Sequence, residues 1–244
     1  MRTLYSIHHS PWSERARFAL LHHEVDFREK EHVPLVGEIP LRFRTGKWSG
    51  KISVPLLIDD GKSVQGSLAI AEHLDAYGKG TPLVPNEKRA EISAFFDEIE
   101  DGMCASRERF THALQTDRAA QQESAPGFLR AIGMAGPAVW IGSRFIVSKY
   151  NANDGSVEER IRKALTAVRT AVGKKDYVLN AFTFADIVAA SLVQSIAPFD
   201  QKFLAIPPAT RKLWHHDGFA KEFADVIAWR DRLYEKHRVP ESKN

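Results

Sequence analysis

Residues 78–86, GKGTPLVPN, separate two stretches that obey different patterns. Before them, strand-length apolar runs alternate with helix-period segments. After them, strand signals largely vanish. No single sheet can therefore run through the chain. The glycines and prolines on either side of Leu83 read as an interdomain linker. The layout they impose is a small α/β domain over residues 1–78, a linker over 79–86 and an all-helical domain over 87–244. A chain of 244 residues has room for both.

The first domain is the more legible. TLYSI has the length and composition of a strand. PWSERARFALLHH places Trp12, Ala16, Ala19 and Leu20 near one helical face. VDFREKE alternates weakly, as a second strand would. In VPLLIDDGKSVQGS an apolar run meets Asp60-Gly61 and then a second run, which is a hairpin signal. SLAIAEHLDAYG carries helical spacing at Leu68, Ile70, Ala71 and Leu74, with Gly78 as a stop. Residues 32–53 form a long connection, expected as a mobile flap with one helical turn. Beyond the linker, helices are expected over 87–114, 126–149, 157–172, 183–197 and 219–237, with Pro198, Pro207 and Pro208 as punctuation.

Composition removes several classes of function. The net charge of +3, from 34 basic and 31 acidic residues, is too even to imply nucleic acid. No apolar run reaches the roughly 18 residues of a membrane helix, so no membrane partner is expected. The start, MRTLYSIHHS, lacks the apolar core of a secretory signal. One cysteine, Cys104, excludes an internal disulfide framework and fits a reducing compartment. With no Cys-x-x-Cys, dithiol redox chemistry is excluded. The reading is cytoplasmic. The histidine pairs 8–9, 22–23 and 215–216 are poor chelates, because adjacent side chains diverge, and no metal is expected.

Two local signals carry chemistry. Ser10-Pro11 opens a helix, where serine caps and proline suits the first turn. The same hydroxyl, at a helix N-terminus, is placed to donate to an anion or a thiolate. Local sequence leaves both roles open. Thr183-x-x-Asp186 is a capping box, with Phe182 and Ile187 at the staple positions.

Four segments, in this order, resemble the cytosolic glutathione transferases. SPWSERARFAL is similar to the motif opening the first helix of the serine- and cysteine-type classes, closest to the omega-like pattern. SVPLLIDDG is similar to the segment with a cis-proline before the hairpin, GSLAIAEHLD to the serine-containing helix start that follows it, and FTFADIVAASL to the capping motif of the helical domain. The resemblance implies a thioredoxin-like domain followed by a helical bundle, glutathione as co-substrate, and a homodimer. It places Ser10 as the catalytic hydroxyl, with Ser13 the runner-up. It makes Val54-Pro55 a cis peptide pairing with the tripeptide backbone. Ser67 would cap its helix and hold the γ-glutamyl carboxylate. The usual Glu or Gln before that serine is Gly66 here, with Gln65 one place earlier. Lys51, then Lys47, would meet the glycyl carboxylate, and Trp12 joins the glutathione-contacting set. A small hydrophobic electrophile would bind between the domains near Trp48, Met103, Arg107 and Phe110, with Phe96 on the same spacing; that spacing also describes a plain core face.

The chemistry asked of such a site is modest. A free thiol has a pKa near 8.5. Lowering it by about two units takes roughly 2.7 kcal/mol of preferential thiolate stabilisation. The expected activity is attack of the activated thiol on an electrophile, or cleavage of one. The alternative is a non-catalytic ligand-binding protein of the same fold.

Overall fold

A computed structural model describes residues 1–34, 37–150 and 156–240. Leu4, Leu56 and Leu57 have no exposed surface. The strands that carry them sit in a four-stranded sheet of order β2-β1-β3-β4. Strands β1 (Thr3–Ser6) and β2 (Arg28–Glu31) are parallel, joined by helix α1 (Pro11–His22). Strands β3 (Leu56–Asp59) and β4 (Lys62–Gln65) form the expected antiparallel hairpin. Asp60 and Gly61 turn it with φ of 45° and 86°, the paired positive values that an Asp-Gly turn supplies. Strand β2, REKE, is an edge strand with charged, largely exposed side chains, which discourages further pairing.

The register decides where a site can form. Tyr5 of β1 lies opposite Leu56 of β3, and Leu56 opposite Gln65 of β4. The end of β1, the start of β3 and the end of β4 therefore share one edge of the sheet. Helices α1 and α3 (Ser67–Asp75) both begin there.

The rest of the described chain is helical: α4 (Arg89–Leu114), α5 (Arg118–Ser124), α6 (Gly127–Ala131), α7 (Ala135–Tyr150), α8 (Val157–Val172), α9 (Phe184–Gln194), α10 (Pro208–Trp214), α11 (Asp217–Glu222) and α12 (Ala224–His237). Helix α9 is buried along its whole length and packs on both α1 and α4. Its N-terminus carries the capping box: Asp186 Oδ2 accepts from Thr183 N–H at 2.8 Å, and Oδ1 from Val178 N–H at 2.7 Å. Helices α4 and α8 run close because residue 102 is glycine. A Cβ there would lie 2.3 Å from the Cβ of Ala164.

Several expectations are corrected. The connection over 32–53 holds more than one turn: α2 (Glu38–Thr45) is a full helix, anchored by buried Leu41 and stopped by Gly46 at φ 67°. Leu35 and Val36 lie outside the described residues. The helix expected over 126–149 is divided into α6 and α7 at Gly133, φ 71°. The one expected over 219–237 is α11 and α12, broken at Phe223. Pro207 and Pro208, read as punctuation, open a helix that was not among those expected, α10, since proline suits a first turn. Ser67 does not cap α3. Gly66 is the N-cap, and Ser67 is the first helical residue.

Buried charge joins the two ends of the chain. Glu14 of α1, 1% exposed, accepts from Arg17 at 3.0 Å and from Arg238, beyond α12, at 2.8 Å. Removing Arg238 leaves the buried Glu14 with only one of its two cationic partners, so Arg238→Ala should lower the unfolding free energy by about 3 kcal/mol. Lys79→Ala, which removes an exposed pair with Glu24, should change it little; urea titration of both variants makes the comparison. Asp75, at the end of α3, holds the linker by accepting from Leu83 N–H, Val84 N–H and His23 Nε2 at 2.7–2.9 Å. Burial alone would raise its pKa, but these bonds hold the carboxyl below its ordinary value. Its contribution is therefore present above the ordinary carboxylate pKa and lost as pH falls through the depressed one. Asp75→Asn should shrink the stability difference between neutral and acid pH.

Candidate functional site

The loop between β1 and α1 delivers Ser10 to the shared edge, and nearly every backbone group along it is fastened. Ile7 N–H donates to Ser13 Oγ at 3.0 Å. His8 N–H donates to both carboxylate oxygens of Glu31 at 3.1 and 3.2 Å. His8 O accepts from Arg17 Nη2 at 3.0 Å, and Ser10 N–H donates to Ile7 O at 3.0 Å. The His8 ring reaches across to Ala205 O at 2.9 Å. Arg17 is itself locked by Glu14 and Glu29, and Glu29 also accepts from Ser6.

Ser10 itself is the N-cap of α1 in extended backbone, φ −74° and ψ 128°, and its side chain makes no capping hydrogen bond. Pro11 follows at the first helical position and has no N–H to satisfy. By helix geometry the N–H groups of Trp12 and Ser13 have no acceptor within the helix. Ser10 is thus a half-buried hydroxyl on a rigid loop at the positive end of a helix. Ser13, by contrast, is fully buried, with its oxygen accepting from Ile7.

The other residues of the edge divide into two groups. Val54-Pro55 is a cis peptide immediately before β3. Pro55 O accepts from Gly66 N–H at 3.0 Å, which seats the start of α3 beside it. Gly66 has φ 94° and ψ 143°, and a Cβ there would meet open space. Ser67 is buried. Gln65 turns away, its Nε2 donating to Lys51 O at 3.4 Å. The start of α1, the Val54-Pro55 peptide and the Gly66-Ser67 peptide therefore come together by sheet register. The flap residues stand further out. Lys47 and Lys51 are exposed. Trp48, 61% exposed, packs edge-on against Phe43 at 4.6 Å. Arg42 ties that loop through Lys47 O and Gly50 O.

Across the domain boundary the expected pocket residues do different things. Trp12 donates from Nε1 to Glu100 at 2.5 Å, and the Arg107 guanidinium lies 4.9 Å over its ring. Arg15 joins the same contact, donating to Glu100 at 3.0 Å and to Ser191 at 2.6 Å. Met103 is completely buried in the main core and offers a substrate no surface; Phe96 packs against that core. Phe110 is stacked on Trp214 at 4.2 Å.

Sequence reasoning missed His9. Its ring lies 5.1 Å from that of Phe110, and its Nδ1 accepts from Trp214 Nε1 at 3.4 Å. Burial, helped by the charges of His8 and Arg17, lowers its pKa to about 4. The ring is neutral at physiological pH, and the bond from Trp214 to Nδ1 leaves its proton on Nε2. No local pattern marks it, because both partners belong to distant helices. Three further histidines have plain structural partners. His22 meets Thr81 O, His23 meets Asp75, and His216 accepts from Phe219 N–H to cap α11.

Residues 4–82 match the family profile described as "Glutathione S-transferase, N-terminal domain". Solved structures extend the likeness over the chain. A glutathione S-transferase of Ceriporiopsis subvermispora in complex with glutathione is 17% identical, with 99% of each chain covered and a TM-score of 0.62. A glutathione S-transferase of Methylobacterium radiotolerans, complexed with glutathione sulfonate, is 18% identical over 100% of this chain and 96% of its own, TM-score 0.60. A beta-etherase of Sphingobium sp. strain SYK-6 is 21% identical over 96% and 94%, TM-score 0.56. No curated protein sequence matches the chain.

Since the Ser10 hydroxyl makes no capping bond, Ser10→Ala should change the unfolding free energy by less than about 0.5 kcal/mol, below the usual loss of a working cap. A chemical denaturation curve displaced by more than that would show that the hydroxyl caps the helix in solution.

Proposed function

We propose, from the match of residues 4–82 to the glutathione S-transferase N-terminal domain profile and from the glutathione S-transferase fold of the chain, that the protein is a glutathione transferase in which Ser10 activates the thiol. The reading rests on one observation: Ser10 stands at the start of α1 with a hydroxyl uncommitted to the helix. A sulfur placed there would accept that O–H bond and face the positive end of α1. Charge-assisted bonds of this kind are worth roughly 1.5–3 kcal/mol, the size of the shift a thiolate needs near neutral pH. His9, the preceding residue, is neutral and does not compete as an acid.

On this reading the tripeptide lies along the edge. Its cysteinyl backbone pairs with Val54 ahead of Pro55, its γ-glutamyl carboxylate meets the start of α3 at Gly66 and Ser67, and its glycyl end reaches toward Lys51 or Lys47. Gln65 is turned toward the flap backbone and does not replace the side chain missing at Gly66. The electrophile would enter beside His9, Phe110 and Trp12, on the helical-domain side, with Arg107 and Trp48 at its margins. Ring-bearing walls suit a small aromatic electrophile, and thiolytic opening of an ether belongs in the screen alongside conjugation. Gly66 favours a second reading, a binding protein of the same fold, because it removes a polar anchor. A cytoplasmic homodimer with no metal is part of the proposal.

Ser10→Ala should lower turnover by about 10- to 100-fold, the loss of one bond made to developing or full negative charge, while glutathione affinity changes by less. Unchanged turnover would end the assignment of Ser10. Calorimetric titration of reduced glutathione should show micromolar-to-millimolar binding by the wild type. Gly66→Glu should tighten it, though the variant loses about 1 kcal/mol of stability to a positive-φ side chain. Binding by neither protein would sink the glutathione reading and leave the fold.

A further inference from the structure

Helix α7 is built with its small residues inward. Ala135 and Ser143 are buried, and Val139 between them packs on the Phe110–Trp214 cluster. The three recur every four positions, along one face. The opposite face carries Pro137, Trp140, Ile141 and Arg144, with Met134 just ahead of the helix, and all five are exposed. A surface helix ordinarily turns its larger apolar groups to the core. Here Ile132, Met134, Trp140 and Ile141 are 44–67% exposed. Singly they would need no explanation; gathered on one helix face and its approach, they form a patch that marks an interface.

Charge decides what the patch can meet. None of the chain's 31 acidic residues falls between residues 124 and 153, a stretch that includes Arg130, Arg144 and Lys149. Arg130 and Arg144 are exposed, and the Arg144 guanidinium lies 4.9 Å over the Trp140 ring. Helix α7 packs on α4 and α5, where the acids of α5 and of the adjoining end of α4 are committed. Asp117 accepts from Ala120 N–H at 2.9 Å, Glu123 from Ala209 N–H at 3.0 Å and Thr210 N–H at 2.7 Å, and Glu108 pairs with Arg160 at 3.2 Å. A two-fold contact between copies through this face would set its arginines against one another, with no acid on the face to answer them. The occupant it suits is anionic as well as apolar. A lipid surface supplies both in layers, hydrocarbon beneath charged headgroups, and tryptophan and arginine side chains fit that boundary. The 16 residues of α7 are too few to span a bilayer, but the length rule applies to crossing a membrane, not to lying on one.

We propose that α7 and the turn before it dock on an anionic membrane surface, with Ile132, Met134, Trp140 and Ile141 entering the headgroup layer and Arg130 and Arg144 meeting lipid phosphates. None of these residues belongs to the start of α1 or to the sheet edge, so the surface does not depend on the assignment of Ser10.

The probes are phosphatidylcholine vesicles with and without phosphatidylglycerol, co-sedimented with the full chain. The wild type should bind the anionic vesicles more tightly than the neutral ones, and less as salt rises. Trp140→Ser should lower the partition coefficient by about 10-fold or more, the loss of a buried aromatic group, and Arg144→Gln by about 5-fold, the loss of one cation at the surface. Lys79→Ala removes the same charge from an exposed site on the other domain and should leave binding unchanged. Trp140 and Arg144 are exposed, so both variants should keep the fold, which circular dichroism checks. Brominated lipid should quench the wild type more than Trp140→Phe, which reads insertion at that one ring. Four results would each overturn the proposal: no binding to anionic vesicles, normal binding by both Trp140→Ser and Arg144→Gln, quenching equal in the wild type and Trp140→Phe, or a lipid-free assembly that Trp140→Ser dissociates in sedimentation velocity, which would assign the face to a second copy of the chain.

Discussion

Glu14 is a carboxylate with almost no access to water, held between two guanidiniums that come from opposite ends of the chain. Buried charge is stable only when its partners are in place. Here the partners carry structural information. Arg17 continues from Glu14 to Glu29 on β2 and to the carbonyl of His8. Arg238 continues to Phe203 O, in the segment between α9 and α10. One carboxylate thereby fixes where α1 starts, how β2 lies beside β1, and how the last helix returns to the first domain. Hydrophobic contact alone would bring these parts together without fixing their relative position, because apolar packing is non-directional.

The consequence is felt at Ser10. The loop from Ile7 to Ser10 is short, polar and close to the surface, and such a loop ordinarily moves. Arg17, Glu31 and Ser13 remove that freedom one backbone group at a time. What remains is a hydroxyl that makes no capping bond to the helix. Preorganisation of this sort matters for thiolate stabilisation, since a donor that must first be ordered gives back in entropy what it gains in bonding. The polar network under α1 and the chemistry proposed above it are one design.

Much of this was readable in the chain. Asp60-Gly61 announced its hairpin, Thr183-x-x-Asp186 its helix start, and Val54-Pro55 its peptide geometry through resemblance. Local chemistry decides such features, so local sequence reports them. What was misread depended on partners far away. Pro207 and Pro208 read only as punctuation; proline suits the first turn of α10, but the burial of Thr210 and Trp214 that goes with a helix there depends on distant partners. Phe223 interrupts a helical pattern without a glycine or proline to warn of it. Ser67 looked like a cap because serine usually is one, yet the chain reaches the positive φ of a turn at Gly66 and begins the helix a residue later. His9 was invisible for the same reason, since its role is set by Trp214 and Phe110 on the helical domain.

Gly66 shows how backbone and recognition trade against each other at one position. The path from β4 into α3 requires φ near 94°, where an L side chain is strained and glycine is not. A polar side chain there would add an anchor for a ligand and strain the turn that presents it. Glycine relaxes the turn and leaves the edge with backbone donors and a buried serine. Backbone N–H groups at a helix start bind a carboxylate well, but they read its charge more than the shape of what carries it. Affinity in such a site has to come from the length of the edge, from the Val54-Pro55 peptide to the start of α3, rather than from one grip. On the proposed reading, discrimination then shifts to the domain boundary, where His9 and Trp12 from the first domain and Phe110 from α4 supply the side chains that the sheet edge lacks.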